Sequence, residues 1–248
     1  MNKYIITIPS YNRAEVLKAK TLTMIKDLKV PKFIFVANKK EYDIYKSVLD
    51  TKSYTDIIIG KKGITAQRIF ISKYFPVGEH IVSLDDDVEY MSELINGKLV
   101  KISDLNQLFK QGFSDLKRLE LYLFGFYPTG NPFYMESQKP ITTNLKFIIG
   151  TVHGFINRHD SSLLPSVPEK EDVQFTIACF LKDGGVLRYN HIAFKTKFKS
   201  NGGLGKIEAR YESNKKAALY LHKKYPAFTR IKIRDNGMYE IVLLNPKK

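Results

Sequence analysis

Three consecutive aspartates, Asp85, Asp86 and Asp87, follow the apolar residues 80–84. Alternate residues of an extended chain point to the same side, so Asp85 and Asp87 can face one cavity while Asp86 faces away. Carboxylates this close repel one another unless a cation or hydrogen bonds offset the repulsion. Oxygen ligands favour Mg²⁺ or Mn²⁺, which also bind substrate phosphates. The cluster predicts a metal site that bridges a diphosphate; the alternative is an acidic turn or a helix N-cap.

The elements that must position these aspartates alternate between strand and helix patterns. The predicted strands are residues 4–8, 33–37, 56–60 and 80–84, and the predicted helices are residues 13–28, 41–49 and 64–75. This alternation indicates βαβ units and a parallel sheet with both faces covered. The aspartates follow the fourth strand, and open α/β sheets bind ligands at the carboxyl ends of their strands.

The second half of the chain has a different pattern. We predict helices at residues 103–119 and 170–180 and strands at residues 122–127 and 144–149. We also predict a long basic helix that ends near Lys224. Its inward stripe would consist of Ile207, Tyr211, Asn214, Ala218 and Leu221. Residues 230–234 and 238–244 flank an Asp-Asn-Gly turn and predict a β-hairpin. With no internal repeat and no obvious linker, we expect one continuous domain.

Composition narrows the class of protein. The single cysteine, Cys179, excludes a disulfide-stapled module and argues for a reducing compartment. No run of about 18 apolar residues is present, so we expect no membrane span. The N-terminal residues enter a strand pattern at once, which leaves no room for a secretory signal. We therefore expect a cytoplasmic protein.

The charge balance indicates a polyanionic partner. The 248 residues include 40 Lys+Arg and 25 Asp+Glu, a formal net charge of +15. Basic residues are densest in residues 195–199 and 206–224, where aromatic residues are interleaved. Surfaces of this kind contact phosphates and stack on bases, so a polyanion such as a nucleic acid is the expected partner. A merely solvated basic surface is the alternative.

Three motifs, in this order, resemble glycosyltransferases with the GT-A fold. Residues 6–13 (ITIPSYNR) resemble the first strand and nucleotide-binding turn of that family. Residues 62–68 (KGITAQR) resemble the segment whose basic residue contacts the donor, and residues 84–88 (LDDDV) resemble its Asp-x-Asp element. The resemblance implies an α/β, Rossmann-like open mixed sheet flanked by helices, with a C-terminal helix and β-hairpin. It divides the domain into a nucleotide-sugar half, residues 1–90, and an acceptor half, residues 91–248.

A closer resemblance is to phage and base J-associated DNA glucosyltransferases. It lies in residues 147–150 (FIIG), 170–172 (KED) and 199–205 (KSNGGLG). It implies transfer of a sugar, glucose in the closest case, from a UDP-sugar to hydroxymethylcytosine or hydroxymethyluracil in DNA, with inversion. The setting that it implies is the cytoplasm, including that of a phage-infected bacterium.

The resemblance implies a role for each candidate residue. The residues that would bind the donor are Pro9, Ser10, Tyr11, Arg13, Arg68, Asp85, Asp86, Gly202 and Gly203. The ligands of Mn²⁺ or Mg²⁺ would be Asp85, Asp87 and His191. The base for the acceptor hydroxyl would be Asp172, with Glu171 beside it. Tyr11 would stack on uracil, and the glycines would close over the diphosphate.

Each of these residues also has a structural alternative. Tyr11 would then be a packed turn residue, Arg68 a helix-surface arginine and Gly202–Gly203 a hinge, while carboxylates are common in any first helical turn. His191 would be a structural histidine of a strand, and His153 is the second candidate for the third metal contact, on the acceptor side. Four aromatic residues could line a pocket for an extruded base or belong to the core: Phe124, Phe126, Tyr127 and Phe133.

Three other functions remain open at this point. The same fold could act on a protein or an intracellular glycan. The chain could be an inactive nucleic-acid-binding protein with a transferase fold. A nucleotidyltransferase also uses an αβ sheet and paired carboxylates, and it would consume a nucleoside triphosphate.

Overall fold

The computed structural model describes residues 3–196 and 210–245. Its strands are β1 (Ile5–Pro9), β2 (Lys32–Val36), β3 (Asp56–Ile59), β4 (His80–Leu84), β5 (Val88–Ile95), β6 (Lys98–Lys101), β7 (Leu123–Tyr127), β8 (Ile141–Thr142), β9 (Val152–Ile156), β10 (Leu187–Thr196), β11 (Thr229–Ile233) and β12 (Tyr239–Leu243). Its α-helices are α1 (Ala14–Ala19), α2 (Thr21–Met24), α3 (Lys39–Val48), α4 (Ile64–Tyr74), α5 (Leu105–Leu119), α6 (Pro132–Glu136), α7 (Glu171–Asp183) and α8 (Tyr211–Lys224).

Ten of these strands form one open mixed sheet. Its order is β3-β2-β1-β4-β9-β7-β10-β5-β6, with β8 beside β10. Strands β1 to β4 pair in parallel, as the βαβ pattern of the sequence predicts. Strand β9 is antiparallel to both β4 and β7, so the second half of the chain supplies the mixed part. The predicted α/β fold, an open mixed sheet flanked by helices with a C-terminal helix and hairpin, is confirmed.

Helices cover both faces of the sheet. One face packs against α1, α2, α3 and α5, through side chains such as Leu17, Tyr45 and Phe109. The other face packs against α4 and α7, through Ile71 and Cys179. This double cover is what a sheet with a parallel half needs to bury its apolar strands. It leaves the carboxyl ends of β1 and β4 as the place where loops can build a site. In the described ranges, no helix is long and apolar enough to cross a bilayer.

Several predicted elements differ from the structure. Residues 144–149 do not form a strand, because two of their N–H groups donate to side chains, Leu145 to Asn245 and Ile148 to Thr176. The strand that pairs with β4 is β9, immediately downstream. The predicted helix 13–28 is broken into α1 and α2 at Lys20, whose φ is −116° and ψ −89°.

The inward stripe of α8 is only partly as predicted. Asn214, Ala218 and Leu221 are buried, whereas Tyr211 is exposed. Ile207 lies outside the described residues. Strands β5 and β6 correspond to no predicted element.

A substitution at Gly154 of β9 tests the packing at the centre of the sheet. A Cβ added there would lie 2.2 Å from two ring carbons of Phe124, which is fully buried. We expect Gly154→Ala to lower the free energy of unfolding by about 1–3 kcal/mol, because the ring must move within a close-packed core. Urea denaturation measures this change.

The matched control is Gly130→Ala, where the nearest atom to an added Cβ is 3.5 Å away. That substitution should change the free energy of unfolding by less than about 0.5 kcal/mol. Equal effects of the two substitutions would contradict the packing described for Phe124.

Candidate functional site

The candidate site forms where the loops after β1 and β4 meet. The two strands are parallel neighbours, so the residues that follow Pro9 and Leu84 reach the same edge of the sheet. The N–H of Asp85 donates to the carbonyl of Thr151 at 2.8 Å, which ties the aspartates to the loop before β9. Helices α4 and α7 begin beside this loop. The sheet topology thereby assembles residues that are far apart in the chain.

Arg68 of α4 joins the two halves of the chain. Its Nη2 lies 3.6 Å from Oδ1 of Asp85, and its Nη1 lies 3.3 Å from Oε1 of Glu171. The guanidinium rests on Gly150, where an added Cβ would lie 2.2 Å from both Nη atoms. Only 15% of the Arg68 side chain is exposed, so it is not a helix-surface arginine. One cation therefore contacts carboxylates of the donor-side and acceptor-side motifs together.

Glu171 and Asp172 sit at the start of α7 in different surroundings. Asp172 accepts hydrogen bonds from the N–H of Gly150 at 3.0 Å and from the N–H of Val173 at 2.8 Å. Glu171 is buried against Arg68, whereas Asp172 is partly exposed. Burial raises the pKa of Glu171 to about 7, and burial also raises the pKa of Asp172. Desolvation thus outweighs the helix N-terminus, which by itself would lower the pKa of both groups.

A second network holds Asp86 and Asp87. Nη1 of Arg13 contacts Oδ1 of Asp86 at 3.1 Å and Oδ2 of Asp87 at 3.2 Å. Ser10 donates through Oγ to Oδ2 of Asp86 at 2.6 Å. The same Oγ lies 2.6 Å from the hydroxyl of Tyr45, which accepts the N–H of Arg13 at 3.1 Å. The loop after β1 is therefore locked to the aspartates by a continuous chain of hydrogen bonds.

This network includes two of the predicted donor-binding residues, Ser10 and Asp86. Ser10 and Asp86 are both buried, and their oxygens bond within the protein. Through these contacts they position the loop after β1 and the guanidinium of Arg13. Tyr45 was not predicted from the sequence. Its position on the inner face of α3, where Glu41 and Tyr45 are buried, is the feature that could have indicated its role.

The aspartates offer a metal ion a partial set of ligands. Within residues 3–196 and 210–245, no group of three or more His, Cys, Asp or Glu side chains is arranged to hold a metal. Burial, together with the charge of nearby Asp85, raises the pKa of Asp87. Mg²⁺ is commonly held by one or two carboxylates, with water and substrate phosphates completing its shell. The residues fit such a site, completed by substrate, and do not form an all-protein cage.

His191 does not join the aspartates. It lies on β10, five residues before Thr196, and Thr196 is the residue that pairs with Val88 beside Asp87. At about 3.3 Å per residue, His191 is on the order of 15 Å away along the strand. Its ring contacts the carbonyl of Pro140 at 2.9 Å and Glu93 at 3.8 Å. The predicted role of His191 as a metal ligand is wrong for this arrangement, because the strand register separates it from Asp87.

His153 is the histidine that reaches the site. Its Nδ1 lies 3.0 Å from the carbonyl oxygen of Gly150, and its ring stacks on Phe155. Burial and the nearby charge of Arg68 lower the pKa of His153 to about 3. The ring is therefore neutral at physiological pH and packs against the cluster without adding charge.

The remaining predicted donor-binding residues differ in exposure, and Tyr11 with Lys62 forms what we call the rim of the site. Pro9 is buried at the end of β1, and Tyr11 is partly buried with Nζ of Lys62 at 5.7 Å from its ring centroid. Lys62 precedes α4, so a cation and an aromatic plane meet at this rim. Gly202 and Gly203 lie outside the described residues.

Two of the four aromatic residues that could line a pocket belong to the core. Phe124 and Phe126 are fully buried among core side chains, Tyr127 is partly buried and Phe133 is exposed. A different cavity, of about 50 Å³, opens between α4 and α7. Arg68, Glu171 and Phe175 are among the residues that line it.

Comparisons with known proteins give no family. No family model matches the chain, and no curated protein matches it. Among solved structures, a 4-diphosphocytidyl-2C-methyl-D-erythritol synthase from Anaerococcus prevotii is 13% identical, with a TM-score of 0.47, over 80% of this chain and 94% of that one.

Two further structures are similar at the same level. A structure from Desulfovibrio desulfuricans, described as that of a nucleotide-diphospho-sugar transferase, is 11% identical. Its TM-score is 0.46, over 76% of this chain and 80% of that one. The glycosyltransferase GlyE of Streptococcus pneumoniae is 13% identical, with a TM-score of 0.38, over 63% of this chain and 35% of that one. The assignment of function therefore depends on the contacts of the site itself.

Tyr45→Phe tests the network that holds the aspartates. The substitution removes the hydroxyl that accepts the N–H of Arg13 and that lies 2.6 Å from Oγ of Ser10. We expect a loss of about 1–2 kcal/mol in the free energy of unfolding, because buried polar groups lose hydrogen bonds. Chemical denaturation of both proteins measures the difference.

Tyr42→Phe, on the same helix, is the matched control. The ring of Tyr42 contacts Lys39 and Lys46, and the substitution retains that ring. Its free energy of unfolding should stay within about 0.5 kcal/mol of the unsubstituted protein. A Tyr45→Phe protein as stable as the Tyr42→Phe control would show that the network does not hold the loop.

Proposed function

We propose that this chain is a glycosyltransferase that uses a nucleoside-diphosphate sugar, and that UDP-glucose is its donor. The observation that carries the proposal is the position of Arg68 between Asp85 and Glu171. It ties a candidate metal-binding carboxylate, Asp85, to the start of α7, where the candidate base, Asp172, follows Glu171 and acts on the charge of Arg68. Sugar transfer needs both groups in one place, because the acceptor oxygen attacks the carbon that the diphosphate leaves.

The charge of the site supports a cation and a phosphate donor. Five carboxylates surround two guanidinium groups: Asp85, Asp86, Asp87, Glu171 and Asp172 around Arg13 and Arg68. The fully ionised cluster carries an excess of three negative charges, which a divalent cation would offset. Asp85 and Asp87 would hold Mn²⁺ or Mg²⁺. When bound, that ion supplies Lewis-acid stabilisation of the charge that develops on the leaving diphosphate.

The rim beside the aspartates suits the nucleoside of the donor. Tyr11 offers an aromatic plane on which uracil can stack, and Lys62 adds positive charge beside it. Arg13, fixed by Tyr45 and two aspartates, forms the wall of this part of the site. The donor would thus lie along the carboxyl ends of β1 and β4.

Asp172 is the proposed base for the acceptor. It is partly exposed at the mouth of the site, whereas Glu171 is buried and holds Arg68. Asp172 takes the proton of the acceptor hydroxyl, the oxygen forms a bond to the anomeric carbon, and the bond to the diphosphate oxygen breaks. A single displacement of this kind inverts the anomeric centre. The raised pKa of Asp172 brings the carboxylate closer to the working pH of a base.

The proposed acceptor is a hydroxymethylated pyrimidine in DNA. The formal net charge of +15 supports a polyanionic acceptor, and the motif resemblance to DNA glucosyltransferases supports this choice. A primary hydroxyl on the base offers the nucleophile, and extruding the base from the duplex would expose it. We place the reaction in the cytoplasm, including that of a phage-infected bacterium. A protein or glycan acceptor is the competing outcome of the test below.

Asp172→Asn is the variant that tests the proposed base. We expect the rate of glucose transfer from UDP-glucose to a hydroxymethylcytosine-containing duplex to fall about 10²- to 10⁴-fold, the usual contribution of a general base. Binding of UDP should be retained. Wild-type transfer should fall as the pH falls through the pKa of Asp172, which burial raises above its ordinary value, because the protonated carboxyl cannot accept the proton of the acceptor hydroxyl.

Asp43→Asn, an exposed residue of α3, is the control and should transfer at the wild-type rate. Transfer by Asp172→Asn at the wild-type rate would remove Asp172 as the base. Transfer of glucose to a glycan or protein, with none to hydroxymethylated DNA, would keep the transferase and refute the DNA acceptor.

A further inference from the structure

The C-terminal helix α8 and the β11–β12 hairpin form a unit that packs against α7, the helix that carries Asp172. Ala217 and Leu221 of α8 join a core cluster with Val173 and Ile177 of α7. The end of the hairpin is tied down as well, since the side chain of Asn245 bonds to both the N–H and the carbonyl of Leu145. The unit therefore has a fixed position relative to Asp172.

The outer side of α8 is basic. Lys216, Tyr220, Lys223 and Lys224 follow one another at i, i+4, i+7 and i+8, which places them on one side of a helix. All four are exposed. We call these four residues the α8 basic face. Its three lysines make no ion pair with any described residue, so their charges are not neutralised within the described part of the chain.

The α8 basic face adjoins the entrance to the site. The hydroxyl of Tyr220 lies 3.2 Å from Oγ of Ser166, in the loop that leads into α7. Pro165, one residue earlier, lines the same cavity as Arg68 and Glu171. A polymer lying on α8 would therefore reach the loop that precedes Asp172.

We propose that the α8 basic face binds the phosphate backbone of a nucleic-acid duplex and delivers it to the site. This inference rests on the proposed function, because it assigns the surface that would hold the DNA acceptor. Lys216 and Lys223 lie about 10 Å apart along the helix axis, the length of about three base pairs. Lys224 lies over the rings of Tyr220 and Tyr225, an arrangement that presents positive charge and aromatic surface together.

A duplex fits this face better than an anionic membrane does. Helices that lie in a membrane interface insert an apolar side, and the apolar side of α8 is already buried against α7. The outer side offers Leu219 as an exposed aliphatic residue among lysines and a tyrosine. Charge without an insertable apolar face suits phosphodiesters, whose contacts are electrostatic.

The test compares two triple variants by fluorescence anisotropy with an unmodified DNA duplex. The first is Lys216→Gln, Lys223→Gln and Lys224→Gln together. The control neutralises three exposed lysines near α3: Lys40→Gln, Lys46→Gln and Lys52→Gln. We expect the first variant to bind the duplex at least roughly tenfold more weakly, and its dependence of log K on log salt to be shallower by about 2.7. The control should stay near wild type.

Activity on a small acceptor separates this inference from the proposed function. The α8 triple variant should glucosylate a free hydroxymethylated nucleoside at the wild-type rate, because none of its three lysines belongs to the candidate site. Equal loss of duplex binding in both triple variants would overturn the inference, and so would unchanged binding in the α8 variant. Lysine-dependent binding to phosphatidylserine vesicles, without duplex binding, would also overturn it. Failure of nucleoside turnover in every protein would refute the transferase and leave the duplex comparison intact.

Discussion

The ion contacts of Arg68 are the interaction on which the site depends. A guanidinium with 15% of its side chain exposed needs negative partners, and it finds them in Asp85 and Glu171. Removing one partner of such a buried pair is costly, typically about 3–5 kcal/mol, because the other charge stays buried. To satisfy this one cation, α4, the loop after β4 and the start of α7 must all be in place. Gly150 is part of the same constraint, since a side chain there would occupy the space of the guanidinium.

The two arginines divide the aspartates between them. Arg13 takes Asp86 and Asp87, whereas Arg68 takes Asp85. Asp86 is buried and turned toward Ser10, so its carboxylate supports the loop. Asp85 and Asp87 lie near each other, and burial together with the charge of Asp85 raises the pKa of Asp87. A cation with its phosphate ligand would offset the repulsion between these carboxylates. That compensation is the physical basis of the proposed sugar transfer.

Much of the fold could be predicted from local patterns, because β1 to β4 and α3 to α5 have strong apolar periodicity and clear ends. The hairpin β11–β12 was likewise evident from its Asp-Asn-Gly turn. The antiparallel strands of the second half were harder. Residues 144–149 are apolar enough for a strand, yet their N–H groups bond to Asn245 and Thr176, and no local pattern reveals such distant partners.

The candidate site was predictable in so far as its residues stand in short motifs. Arg68 and Asp172 were identified in that way, and the structure brings both to Gly150. His191 failed because its distance from Asp87 is set by the register of β10 against β5, which the sequence does not reveal. Tyr45 was missed because its role arises from a hydroxyl that meets the loop after β1 across the interface between helix and sheet.

The most direct measurement is the affinity of UDP with and without a divalent cation, determined by isothermal titration calorimetry. If Asp85 and Asp87 hold the cation that binds the diphosphate, Mn²⁺ should tighten UDP binding by at least about tenfold, or about 1.4 kcal/mol. Asp87→Ala should abolish that gain. An affinity for UDP that is the same in Mn²⁺ and in excess EDTA would contradict the account.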